Sequence, residues 1–152
     1  MITIQNAQRK IKVNTKQLKK DAALVLKALD YSDFDLGIML VTNKAMRNHN
    51  CAYRAQDKPT DILSFPYDPY LKAGERLKPE TEEDKNLGDI IIAPQYVMDD
   101  LPRWEQSFDE RMRVLLVHGI CHLLGYDHIE EEDYHVMYAL ETFLLKKLAE
   151  SD

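Results

Sequence analysis

Apolar and polar positions alternate along Ile2-Thr3-Ile4, the period of a half-buried strand, and predict an extended segment over residues 2–6. Further β-branched and apolar runs, bounded by turn residues, predict strands at about 9–13, 35–42, 61–65 and 88–93. Between them the period changes. Leu18, Ala22, Val25, Leu26 and Leu29 fall on one helical face and predict a helix from Lys16 to Leu29, and a second is expected from Asn43 to about Tyr53. Residues 66–86 follow neither period and combine prolines, a glycine and a run of acids. They read as a long surface excursion or lid rather than a tight connection.

The C-terminal half is more sharply punctuated. Ser107 and Glu110 form a capping box, each side chain able to satisfy an orphan amide of the other, so a helix should start there and run to Leu124. Gly125 stops it, because glycine enters the left-handed region past a helix end without strain. Val114 to Val117 make this helix apolar nearly all round, which places it in the core. Asp127 and then Glu130 to Asp133 read as the cap and acidic first turn of a last helix reaching about Ala149. No internal repeat, low-complexity tract or linker divides the chain, so the 152 residues are expected to form one mixed α/β unit.

Composition narrows the setting. Two cysteines, Cys51 and Cys121, are too few for a disulfide framework, and Cys121 lies in an apolar run where a buried thiol is the ordinary reading. A reducing, cytoplasmic compartment is the expectation. No apolar run is long enough to span a bilayer, and no secretory h-region follows Met1. The net charge of −6 argues against bulk, sequence-blind nucleic-acid binding, but it is unevenly spread. Residues 1–20 hold Arg9, Lys10, Lys12, Lys16, Lys19 and Lys20 with no acid, so the remainder of the chain carries −12. The start therefore reads as a folded segment with a basic face.

The stretch HGICHLLGYDH, residues 118–128, gathers three of the five histidines. His118 and His122 are four apart on a helix, so their rings leave the same face one turn apart. The turn at Gly125 then lets His128 swing back toward them. Three neutral imidazoles with one open position make the ligand set of a catalytic zinc site, whereas structural sites close all four positions, usually with thiolates. His49 and His135, each isolated, read as packing or surface residues. Cys121 points away from the histidine face.

The spacing H-x-x-x-H-x-x-G-x-x-H resembles that of the metzincin metallopeptidases, but the glutamate they carry directly after the first histidine is Gly119 here. With HGxxHLxGYDH as it stands, the chain resembles the YbeY family of metal-dependent endoribonucleases acting in ribosomal RNA maturation. Asn50-Cys-Ala-Tyr53-Arg54, then Pro59-Thr60-Asp61-Ile62-Leu63-Ser64-Phe65, and later Leu87-Gly88-Asp89-Ile90 carry the resemblance across the rest of the chain. It implies an α+β fold in a single domain over residues 1–152, with a mixed four- to five-stranded sheet, helices packed on it and the histidine helix behind. It also implies a zinc-type ion on His118, His122 and His128, with Arg54 and His118 in catalysis. The implied partners are ribosomal RNA and proteins of the small ribosomal subunit, with no membrane.

Such a site has recognisable chemistry. A zinc-type ion makes water acidic enough to supply a nucleophile near neutral pH, and a guanidinium presents a planar fork of donors to a phosphoryl group. Arg54 fits the second part by resemblance alone. Asp127 is open to two roles, a helix cap or an orienting carboxylate beside His128, and the cap is favoured. Asp61 and Thr60 fit a turn or the cleft equally, and Tyr126 fits packing. Three functional classes follow: a single-strand-preferring endoribonuclease, an amide-bond metallohydrolase disfavoured by Gly119, and a non-catalytic ribosome-assembly factor with a bound metal. For the first, positive potential must be local, from residues 1–20 and from Arg47, Arg54 and Arg111 or Arg113.

Overall fold

Strand β1 (Ile2–Asn6) pairs in parallel with β2 (Asp35–Leu40), and helix α1 (Thr15–Ala28) crosses between them, in a computed structural model that describes residues 1–152. Asn14 caps α1, its side chain accepting the Gln17 amide. Helix α2 (Asn43–Arg54), capped by Thr42, leads to β3 (Ile62–Pro66), and the long excursion returns as β4 (Asn86–Ile92). The sheet order is β1-β2-β4-β3, with β2 and β4 parallel and β3 antiparallel on the edge. Helices α3 (Pro94–Asp99), α4 (Phe108–Leu123) and α5 (Glu131–Glu150) complete the chain. The fold is therefore α+β with a four-stranded mixed sheet.

The strand expected at 9–13 does not form. Gln8 turns the chain instead: its amide nitrogen donates to the Asn6 side chain and the Ile11 carbonyl, and its oxygen accepts the Ile11 N–H. A side-chain brace takes up hydrogen bonds that a ladder would have used. Helix α3, one and a half turns opened by Pro94, was not expected at all. The capping box of Ser107 and Glu110 is present, and Gly125 ends α4 with φ +90°. Asp127 does not cap α5. Glu130 is the N-cap residue there, without a side-chain bond, and Asp127 accepts the Ile129 N–H in a local turn.

Strand alternation sorts the core into two layers. Ile90 and Ile92 face α1, α4 and α5 in the main core, while Ile91 and Leu63 face Met46 of α2 on the other side of the sheet. At the start of β4 the register against β2 slips by one residue at Leu87, and Gly88 takes φ +119° beside the Phe65 carbonyl, where no Cβ fits. Helix α4 lies against β3 and β4, which puts its outward face at the sheet edge.

Candidate metal centre

Gly119 sets how closely α4 approaches the sheet. A Cβ there would stand 2.9 Å from Ile62 Cδ1 and 3.0 Å from Ile90 Cδ1. The residue that would be a general-base glutamate in the peptidase motif is thus the packing contact of α4 on β3 and β4, and a carboxylate has no room to point at the histidines. His118 and His122, on the adjacent face, are half-buried and open toward α5 and the turn after Gly125. That turn is fixed from outside as well, because a side chain at 125 would run into the Leu71 carbonyl of the excursion. His128, more exposed, completes the group.

The three imidazoles converge, each offering a ligand nitrogen within 4.8 Å of the others. His118 Nδ1 lies 2.9 Å from Glu141 Oε2, and His122 Nδ1 lies 2.8 Å from the Tyr126 carbonyl. A carboxylate and a carbonyl only accept, so both Nδ1 atoms carry the proton. With both imidazoles neutral, the Nε2 atoms of His118 and His122 face each other at 2.9 Å, lone pair to lone pair. Burial first, then the neighbouring His118, push the His122 pKa down to about 4, so the His122 ring keeps its Nε2 lone pair at neutral pH. Two mutually aimed lone pairs, each backed by an acceptor on the far ring nitrogen, are the donor arrangement of a metal site. Ligands sharing one zinc-type ion at ~2.0–2.1 Å need nitrogens roughly 3.3 Å apart, and this group lies within reach of that spacing. The residues present fit the ion.

Two clefts open onto the histidines. One, of about 260 Å³, is lined by Asp61, Trp104, Arg111, His118, His128 and Glu141 among others. The second, about 720 Å³, lies between the excursion, at Asp68, Tyr70 and Lys72, and the ligand turn at His122, Gly125 and Asp127. Asp61, ambiguous in the sequence, therefore faces the site, where its Oδ2 lies 3.7 Å from Arg111.

The expected arginines part company. Arg47 is tied up by Asp57, and Arg113 by Asp21 and Asp152. Arg54 is exposed at the end of α2, which packs on the sheet face opposite α4, and its side chain makes no ion pair or hydrogen bond. The basic residues of 1–20 are all exposed. Cys121 is buried with its thiol pushed up to about 12 by burial and Glu141, consistent with a core role, and Tyr126 packs on the main core. His49 stacks near Tyr53, and His135 is exposed beside Glu131.

Glu141 escaped the sequence reading. Its signal was a carboxylate on the apolar stripe Met137, Leu144 and Leu148 of α5, four residues past the first and three before the second.

Comparisons with known proteins agree along the chain. A protein named Endoribonuclease YbeY from Homo sapiens is 36% identical over 147 residues, covering 97% of this chain and 87% of that protein. One of the same name from Desulforamulus reducens is 36% identical over 151 residues, covering 97% and 96%. The solution structure of TM1509 from Thermotoga maritima shares the fold, with a TM-score of 0.64 at 23% identity over 97% of this chain and 89% of that one. The family model described as Endoribonuclease YbeY matches residues 3–149, and with that match the chain belongs to the YbeY family.

Proposed function

We propose that the protein is a zinc-dependent endoribonuclease that cleaves single-stranded segments of ribosomal RNA during maturation. The observation that carries the reading is the pair of facing Nε2 atoms on His118 and His122, with both Nδ1 protons committed elsewhere and His128 alongside. A bound zinc-type ion supplies a Lewis acid that makes water nucleophilic near neutral pH. His118, His122 and His128 would hold it, and Glu141 would keep the His118 ring in the tautomer and orientation that binding needs. The amide-hydrolase reading is weakened by Gly119, whose contacts with Ile62 and Ile90 exclude the missing carboxylate.

Arg54 enters the assignment through the family resemblance, since it lines neither cleft at the histidines. A phosphodiester gains negative charge as it becomes five-coordinate, and an unpaired guanidinium at the end of α2 is free to meet an RNA strand that runs past the sheet edge. The exposed cations of residues 1–20 add a basic face to a chain of net charge −6, and small-subunit ribosomal proteins are the partners expected to supply further affinity. The cytoplasm is the proposed compartment, and no helix is long and apolar enough to cross a membrane.

The test is single-turnover cleavage of a ribosomal RNA fragment by wild type, His118→Ala, Arg54→Ala and Arg54→Lys, with metal content measured in each. His118→Ala should lose metal and cleavage together. Arg54→Ala should keep metal and slow cleavage by roughly 10²–10³, the scale of losing one oxyanion donor, and Arg54→Lys should recover part of it. Cleavage of unmodified peptides by the wild type, abolished by a chelator, would replace this reading with the amide-hydrolase one.

A further inference from the structure

Arg111 is on the same face of α4 as His118, two turns earlier, and both line the smaller cleft. Its residue surface is only 9% exposed, yet its guanidinium makes no hydrogen bond. It lies 3.7 Å over the Trp104 ring, and its nearest acid, Asp61 Oδ2, is 3.7 Å away, beyond hydrogen-bond reach. A guanidinium carries five N–H donors in a fixed plane, and those of Arg111 have no hydrogen-bond partner in the protein while they border the cleft. The Trp104 ring that supports it is itself pinned, its Nε1–H donating to Asp100 at 3.0 Å.

The facing wall comes from α5. Tyr134 and Tyr138 lie nearly parallel, 14° between planes and 6.0 Å between centroids, and are 49% and 57% exposed. Of the two carboxylates of the cleft, Glu141 accepts from His118, and Asp61 faces Arg111 at 3.7 Å without a hydrogen bond. The cleft thus offers a phosphate-shaped set of donors on one side and flat aromatic faces on the other, beside the histidines. Its volume of about 260 Å³ lies below the ~300–1,000 Å³ of drug-sized ligand pockets, which leaves no room for a base pair.

We infer that this cleft is a nucleotide subsite: Arg111 holds a phosphate of the RNA strand next to the one at the histidines, and the attached unpaired base lies on the faces of Tyr134 and Tyr138. The inference rests on the ribonuclease reading above and names the source of its single-strand preference. Bases inside a duplex are already stacked and cannot turn a face to the tyrosines, whereas unpaired ones stack readily on aromatic side chains. Arg111 acts as a positioning residue, distinct from Arg54 on the other side of the sheet.

The experiment is single-turnover cleavage of an unstructured oligoribonucleotide by the zinc-loaded protein, with the half-saturating enzyme concentration followed across a range of salt. Each phosphate contact contributes about 0.7 to the salt slope for single strands, so Arg111→Met should lower the slope by about 0.7 and Arg111→Lys should preserve it. Tyr134→Leu with Tyr138→Leu should raise half-saturation about 5- to 150-fold, and phenylalanine at both positions should restore it. An abasic nucleotide at the subsite should cost the wild type the same factor and cost the leucine variant nothing more. Phe143→Leu, on α5 outside the cleft, should behave as wild type.

An unchanged slope in Arg111→Met, or an abasic loss that adds to the leucine loss, overturns the subsite. Should Arg111→Met fail to fold with Asp61 left unpaired, neutral methylphosphonates placed one linkage at a time in the RNA give the same slope test on the wild type. A metal-loaded wild type that cleaves no RNA removes the ribonuclease reading itself. A wild type that cleaves while every cleft variant matches it removes only the subsite.

Discussion

Glu141 of α5 and His118 of α4 meet across the helix pair at 2.9 Å, carboxylate oxygen to Nδ1, although 23 residues separate them. The contact fixes the ring so that Nε2 is the free nitrogen. Glu141→Gln should therefore weaken zinc binding by about 10- to 100-fold without removing any ligand. Competition with a chromogenic chelator measures it, and affinity equal to wild type would show that His118 is oriented by packing alone.

The histidine group itself should hold about one zinc-type ion per chain. His118→Ala, His122→Ala and His128→Ala should each lose most of it, while His49→Ala and His135→Ala keep it. Metal analysis after dialysis gives the answer. Zinc at one hundred times the dissociation constant should also add ~2.7 kcal/mol of stability and so raise the melting temperature of the wild type.

Gly119 separates packing from catalysis. In Gly119→Ala, the added methyl meets the mobile ends of Ile62 and Ile90, and better helix propensity offsets the crowding, so stability should stay within about 1 kcal/mol of wild type. Gly119→Glu places a charge in the same apolar contact and should cost several kcal/mol or prevent folding. Denaturant unfolding of both variants tests the contrast, and a stable, peptide-cleaving Gly119→Glu protein would contradict the packing role.

Acid should loosen the metal-free protein through His122. Its folded pKa, about 4, lies below the ordinary 6.5, so the unfolded chain binds the extra proton between these values. The stabilisation is fully present above pH 6.5 and is lost as pH falls toward 4, on the order of 2–3 kcal/mol. His122→Gln should flatten that part of the stability curve. An equally steep acid limb in the variant would assign the loss to other groups.

The histidine cluster, the capping box and the stop at Gly125 were legible because each rests on local spacing: i, i+4 on one helix, then a left-handed turn. The strand at 9–13 misled because Ile11 and Val13 alternate correctly, while the competing hydrogen bonds come from the Gln8 side chain, which no periodicity registers. Asp127 has the chemistry of a cap but stands three residues too early for α5. Arg111 could not be told from Arg47 or Arg113 in the sequence. Their fates depend on whether Asp57, Asp21 and Asp152, or only the more distant Asp61, fold against them.

Two of the contacts that fasten the excursion between β3 and β4 support different parts of the molecule. Leu71 closes against Gly125, and farther on Arg76 donates to the Leu29 and Asp30 carbonyls and lies 4.2 Å over the Tyr31 ring. The first fastening supports the turn that carries His128, and the second ties the segment to the end of α1. Tolerance to changes in chain length therefore differs along this one connection. Residues added between Lys78 and Thr81 extend a part already anchored upstream and leave the ligand turn in place, whereas a single deletion between Pro66 and Leu71 shifts the support from beneath the third histidine.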